Sequence, residues 1–271
     1  MNITIIPLTI ILLISTALGV MLNKRRQRRR ALAKPLPQAW IDIIKKNLPP
    51  YAKLSAQMQQ QLERYTQEFL YDKSFEGCGG LELDDEIRVT IAAQACLLLL
   101  NRQVRNYPKL GSVLVYPSSY VVKNEQGQGS VRLGESWRTG AVVLAWDSVK
   151  QGAKNFADGH NLVIHEFAHQ LDQEDGAGDG APILSNTSSY ATWAQVLSKE
   201  YQRLCTRVDK GKGADKGKKT LIDSYGATNP AEFFAVASET FFEKPQQLRR
   251  KHPELFDELH KFYQVDPSAW K

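Results

Sequence analysis

The chain is 271 residues long, carries 35 basic and 29 acidic residues for a net charge of +6, and has three cysteines. Seven of the basic residues fall between Lys24 and Lys34, and the remainder holds 28 basic against 29 acidic residues, a net charge of −1. The bulk of the protein therefore lacks the basic surface of a nucleic-acid reader, and Cys78, Cys96 and Cys205 have no paired spacing for a thiolate metal cluster.

In chain order, Ile3 to Leu22 holds no charge and is mostly apolar. Twenty helical residues reach about 30 Å, the thickness of a bilayer's hydrocarbon core. Pro7 and Gly19 lie near the ends, and the basic block Lys24 to Lys34 follows without an acidic residue. This pattern predicts one transmembrane helix over residues 1–22, single-pass in an inner or plasma membrane, with the rest of the chain cytoplasmic. A cleaved signal peptide is opposed by the absence of positive charge before the apolar run. The basic block can also attract anionic lipid, and three unpaired cysteines fit a reducing compartment. Residues 23–38, with Pro35 and Pro37, read as a linker, and 39–271 as one domain large enough to bury a core.

Within that domain, helical patterns cover Trp40 to Tyr71, Glu86 to Arg105, Asn161 to Asp172, Tyr190 to Arg207 and the C-terminal third. Short Val-, Leu-, Tyr- and Trp-rich runs at Ser112–Tyr116, Tyr120–Val122 and Ala141–Trp146 predict strands, two of them joined through Asn124 to Gly129. The expected class is α+β, with a small mixed sheet ahead of the motif helix. Val142 to Trp146 is expected at a sheet edge, where an extended peptide could add as another strand. Leu97 to Leu100 reads as buried core, and the glycine-rich Lys210 to Lys219 as a solvated loop.

Asn161 to Asp172 reads NLVIHEFAHQLD and contains His165-Glu166-Phe167-Ala168-His169. Histidines four apart on a helix sit one above the other, so their imidazoles can share one Zn²⁺. The glutamate after the first histidine is placed to take a proton from metal-activated water. Ile164, Phe167, Ala168 and Leu171 form an apolar stripe beside this polar face. Asp172, at i+7 from His165, is placed either to orient a ligating imidazole or to stand as a solvated helix-end aspartate.

A catalytic zinc takes three protein ligands and keeps one position open. Among the other histidines, His160 points off the ligand face, while His252 and His260 lie far downstream. The better source is Asp223 to Glu239, where Asn229-Pro230 marks a helix start and Glu232 and Glu239 share one face. Glu232 occupies the third helical position, so its spacing fits a capping box as well as a metal ligand. Glu239 is the second choice.

The segments Ile91–Leu100, Leu133–Trp137, Val143–Asp147, Asp158–Asp172, Asp179–Pro182 and Asp223–Glu239 together resemble the Mlc titration factor A family of zinc peptidases, itself similar to the catalytic domain of anthrax lethal factor. The resemblance implies a zincin-like metallopeptidase domain with zinc ligands His165, His169 and Glu232. It also implies Glu166 as general base and Tyr225 beside the metal, with aminopeptidase-type substrates and a DNA-binding repressor as a protein partner. The chemistry expected is hydrolysis of a peptide or protein substrate, with Tyr225 as a candidate donor to the oxyanion; a core tyrosine is its other reading. A regulatory protein that sequesters a transcription repressor, with the metal site secondary, is the alternative function. The complete His165, Glu166 and His169 set favours the enzyme, because a pure binder needs no general base.

Overall fold

The computed structural model describes residues 5–102, 106–123, 129–132, 134–137, 140–184, 186, 188–211 and 220–270, without the side chains of 5–15, 17, 120–132, 135–137 and 211. It forms two compact units, Met1–Pro37 and Gln38–Lys271. The first is the helix α1, Ile5–Leu32, which runs unbroken from the apolar stretch into the basic one. Among the described residues no helix is long and apolar enough to cross a membrane. The expected transmembrane helix is thus not met there, and most of its side chains lie outside the described residues.

The second unit opens with α2 (Gln38–Asn47), a 3-10 turn at Pro49–Lys53 and α3 (Ala56–Asp72). What looked like one helical stretch from Trp40 to Tyr71 is split because Pro49 and Pro50 cannot continue a helix. Ser55 then restarts it, its side chain accepting from the Met58 N–H. Strand β1 (Ser74–Gly77), helix α4 (Asp85–Leu97) and strands β2 (Ser112–Tyr116), β3 (Tyr120–Lys123), β4 (Gly129–Arg132), β5 (Gly134–Trp137) and β6 (Ala141–Ala145) follow. Leu97 to Leu100 are buried, and the residues between β3 and β4 lie outside the described set. Helices α5 (Trp146–Lys154), α6 (Leu162–Asp172), α7 (Ser189–Gly211), α8 (Pro230–Glu243), α9 (Pro245–Lys251) and α10 (Pro253–Tyr263) complete the unit. The expected loop after Lys210 falls mostly on residues that are not described.

The sheet runs β1-β2-β6-β5, with β1, β2 and β6 parallel and β5 antiparallel to β6; β3 and β4 pair separately. So the class is mixed helix and sheet, with a small mixed sheet. The edge expectation for Val142 to Trp146 fails. β6 lies between two strands, and Val142 to Ala145 are buried, as a continuous apolar run requires of an interior strand. Trp146 already opens α5. The edge beside α6 is β5.

One face of α6 fills the core: Ile164, Phe167 and Ala168 are fully buried. The Phe167 ring meets Tyr107 at 4.9 Å and Phe69 at 5.7 Å, both tilted or edge-on. Burial of that face leaves the opposite face of α6 to α8, with which it packs.

Candidate metal centre

Asn161 caps α6 by accepting from the Ile164 N–H, and Asn229 caps α8 by accepting from the Glu232 N–H. Both helices therefore begin at defined residues, which fixes where His165, His169 and Glu232 face. The Glu232 carboxylate does not turn back to close a capping box. It points at the imidazoles, with Oε2 3.0 Å from His165 Nε2 and 3.3 Å from His169 Nε2. All three side chains are half-buried.

These separations suit a metal. Tetrahedral donors each about 2.0–2.1 Å from zinc stand roughly 3.3–3.4 Å apart. Among the described residues His165, His169 and Glu232 form the one group of this kind, with ligand atoms within 4.8 Å of one another. Two imidazoles and a carboxylate are also the donor set of a catalytic rather than a structural zinc. The charges point the same way. Burial alone would raise the Glu232 pKa, but hydrogen bonds from His165 and His169 hold its carboxyl well below the usual range. Burial opposes a proton on His165, yet its hydrogen bonds to Glu232 and Glu239 raise its pKa well above the ordinary value. The site is a place built around positive charge.

Glu239 stands outside this three-residue group. Its Oε1 lies 2.8 Å from His165 Nδ1, on the far side of the ring from Glu232, and its Oε2 accepts from the Asn161 N–H at 2.6 Å. The carboxylate hydrogen-bonded to His165 on this side is that of Glu239, and Asp172 is turned to Gly180 instead. Asp172 is fully buried and uses both oxygens on the Gly180 N–H. Burial pushes its pKa up to about 6, against the opposing hydrogen bond from Gly180. Gly180 has φ +87, and a Cβ there would lie 2.5 Å from the Pro230 carbonyl oxygen. The Asp179–Pro182 segment is thereby wedged between the end of α6 and the start of α8.

Glu166 is 5% exposed and faces a cavity of about 460 Å³ that His165, Tyr225, Glu239, Leu162 and Gly134 also line. That volume suits a small-molecule or peptide side-chain site. Tyr225 sits in the 3-10 turn Ser224–Ala227, its N–H donating to Asp223 Oδ1. It is 53% exposed, which removes the core-tyrosine reading, and its ring centroid is 5.9 Å from that of His165. His160 lines the same cavity and lies 3.8 Å from Asp223 without joining the three-residue group. His252 is buried against Glu200 at 2.6 Å.

Two contributors were not legible as such. Gly134 on β5 passes so close to Glu166 that a Cβ would lie 2.5 Å from Oε1; only a glycine leaves the carboxylate in place. Glu243 accepts from the Gly159 and His160 N–H groups just before α6. The seven- and four-residue steps from Glu232 through Glu239 to Glu243 were the available signal, because they place all three near one face of α8.

Comparison with known proteins identifies the family. The sequence profile of the glucose-regulated metallo-peptidase M90 family matches residues 22–264. An uncharacterized protein of Synechocystis sp. is 42% identical over 250 residues, 89% of each chain. Proteins named Mlc titration factor A are 34% identical in Cronobacter sakazakii, over 81% of this chain and 84% of theirs, and 33% in Salmonella gallinarum, over 84% and 86%. A solved structure from Bacteroides caccae, assigned provisionally as a zinc-binding metallo-peptidase, covers 80% of this chain and 91% of its own at 13% identity, but its TM-score of 0.32 carries no argument. The chain belongs to the glucose-regulated metallo-peptidase M90 family.

Proposed function

We propose that this metallopeptidase hydrolyses peptide bonds with zinc held by His165, His169 and Glu232. The observation that carries the reading is the meeting of two Nε2 atoms and one carboxylate oxygen beside the buried Glu166. Zinc at such a site supplies Lewis acidity, which makes water nucleophilic near neutral pH. The residues of the chain do the rest. The Glu166 carboxylate takes the proton of the attacking water and delivers it to the leaving amine. The Tyr225 hydroxyl donates to the oxygen that gains negative charge. The half-buried imidazoles and the cavity wall keep bulk water from screening these charges.

Glu166→Gln removes the base while leaving the imidazoles and Glu232 untouched. The variant is expected to bind zinc like wild type and to lose hydrolysis by at least about 10²-fold, the usual scale for a general base. Wild-type turnover of peptides by Glu166→Gln would overturn the mechanism. The comparison also separates the second reading, capture of a repressor protein, which the names of the Cronobacter and Salmonella relatives support; capture does not need Glu166.

Attachment to a membrane through residues 1–22, with the catalytic unit cytoplasmic, is a separate proposal supported by the uncharged Ile3–Leu22 and the basic block after it. Cell fractionation should then place the full chain with membranes and release it with detergent. Recovery in the high-speed supernatant without detergent would end this proposal.

A further inference from the structure

We propose that Glu239 is a positioning residue that decides which nitrogen of His165 faces the metal and locks the two ligand-bearing helices in register. The inference rests on the metal-site reading above and concerns a residue that holds no metal itself. A carboxylate is an acceptor only, so Oε1 at 2.8 Å requires a proton on His165 Nδ1. With the proton there, Nε2 of the neutral ring is free to ligate, and Nε2 is the atom that faces Glu232.

The other oxygen does a second task. Glu239 Oε2 accepts from the N–H of Asn161, the residue that caps α6. One carboxylate on α8 therefore grips both the start of α6 and the first imidazole on it. Glu239 is 6% exposed, so water does not compete for these hydrogen bonds. Glu232 lies two turns earlier on the same helix, so the distance between the carboxylate ligand and the first imidazole is set by the grip. Glu243, one turn later, holds the Gly159 and His160 N–H groups and touches no imidazole. It ties the same loop without access to the histidine, and that makes it a matched control.

Glu239→Gln has nearly the same shape but only one acceptor for two donors. If its oxygen stays on His165, its amide faces the Asn161 N–H. If the amide turns to His165, Nδ1 must accept and the proton moves to Nε2, the ligating atom. Removing such a partner of a ligating histidine weakens metal binding about 10–100-fold. The test is zinc affinity by chelator competition on the full chain, for wild type, Glu239→Gln and Glu243→Gln, with melting of each metal-free protein. The expected result is zinc affinity reduced about 10–100-fold in Glu239→Gln and within about twofold of wild type in Glu243→Gln. Equal zinc affinity in wild type and Glu239→Gln overturns the proposal, as does an equal loss in both variants, which would mark a merely structural tether. If Glu239→Gln fails to fold, ¹H–¹⁵N NMR of zinc-loaded wild type decides: a hydrogen-bonded Nδ1 proton on His165 supports the proposal, and its absence overturns it. A wild-type chain that takes up no zinc would instead defeat the metal-site reading.

Discussion

At the scale of single residues, the site depends on side chains that must not be larger as much as on those that carry chemistry. Gly134 shows this. An added methyl would sit 2.5 Å from Glu166 Oε1 and 2.7 Å from Leu162 Cδ1, well inside contact distance. The atoms met are the far ends of two flexible side chains, so Gly134→Ala should displace the base rather than unfold the protein. A misplacement near 1 Å costs about 10²-fold in rate. Peptide turnover should therefore fall by roughly that factor while zinc content stays at the wild-type level; unchanged turnover would show that the base is held elsewhere. The juxtaposition of His165 and His169, with Glu166 between them, was legible because HExxH spacing is a direct consequence of helical period. The sequence did not show the glycine, because a close approach between β5 and α6 is a tertiary event with no local pattern. Spacing alone left Glu232 and Glu239 unseparated, since both lie near one face of α8; the family resemblance favoured Glu232.

At the scale of elements, α8 is the organising piece. Its start supplies Glu232, its middle holds His165 through Glu239, and its end holds the loop that enters α6. The last of these comes at a cost. Burial pushes the Glu243 pKa up to about 8, against the opposing Gly159 hydrogen bond. Below pH 4.5 the group is protonated folded and unfolded, and it adds no penalty. As pH rises from about 4.5 to 8 the unfolded state ionises first, so this residue lowers stability progressively, and above 8 its penalty is constant. Glu243→Gln keeps an acceptor and cannot ionise. Its stability relative to wild type, from urea unfolding, should rise steadily between pH 5 and 8; a difference independent of pH would contradict the assignment. The elements themselves were partly legible. β2, β3 and β6 follow from Val-rich runs, whereas β1 (Ser74–Gly77) and β5 (Gly134–Trp137) hold no β-branched residue to signal them. The interior place of β6 could be read only from its unbroken burial.

At the scale of the whole molecule, charge and chemistry are separated along the chain. The basic excess lies in the unit Met1–Pro37, and the candidate catalytic groups lie in Gln38–Lys271, whose composition is near neutral. The second unit is organised so that apolar faces of α6 and α8 form the core while His165, Glu166 and Glu239 line the cavity. Two imidazoles and one carboxylate held this close and half-buried are a donor set suited to a divalent cation. Zinc per chain, determined by elemental analysis of purified full-length protein alongside peptide turnover before and after chelation, tests this most directly. The account predicts close to one zinc per chain, with turnover lost on chelation and restored by added zinc. Protein that neither contains nor takes up a transition metal, or that hydrolyses peptides equally well without one, would contradict it.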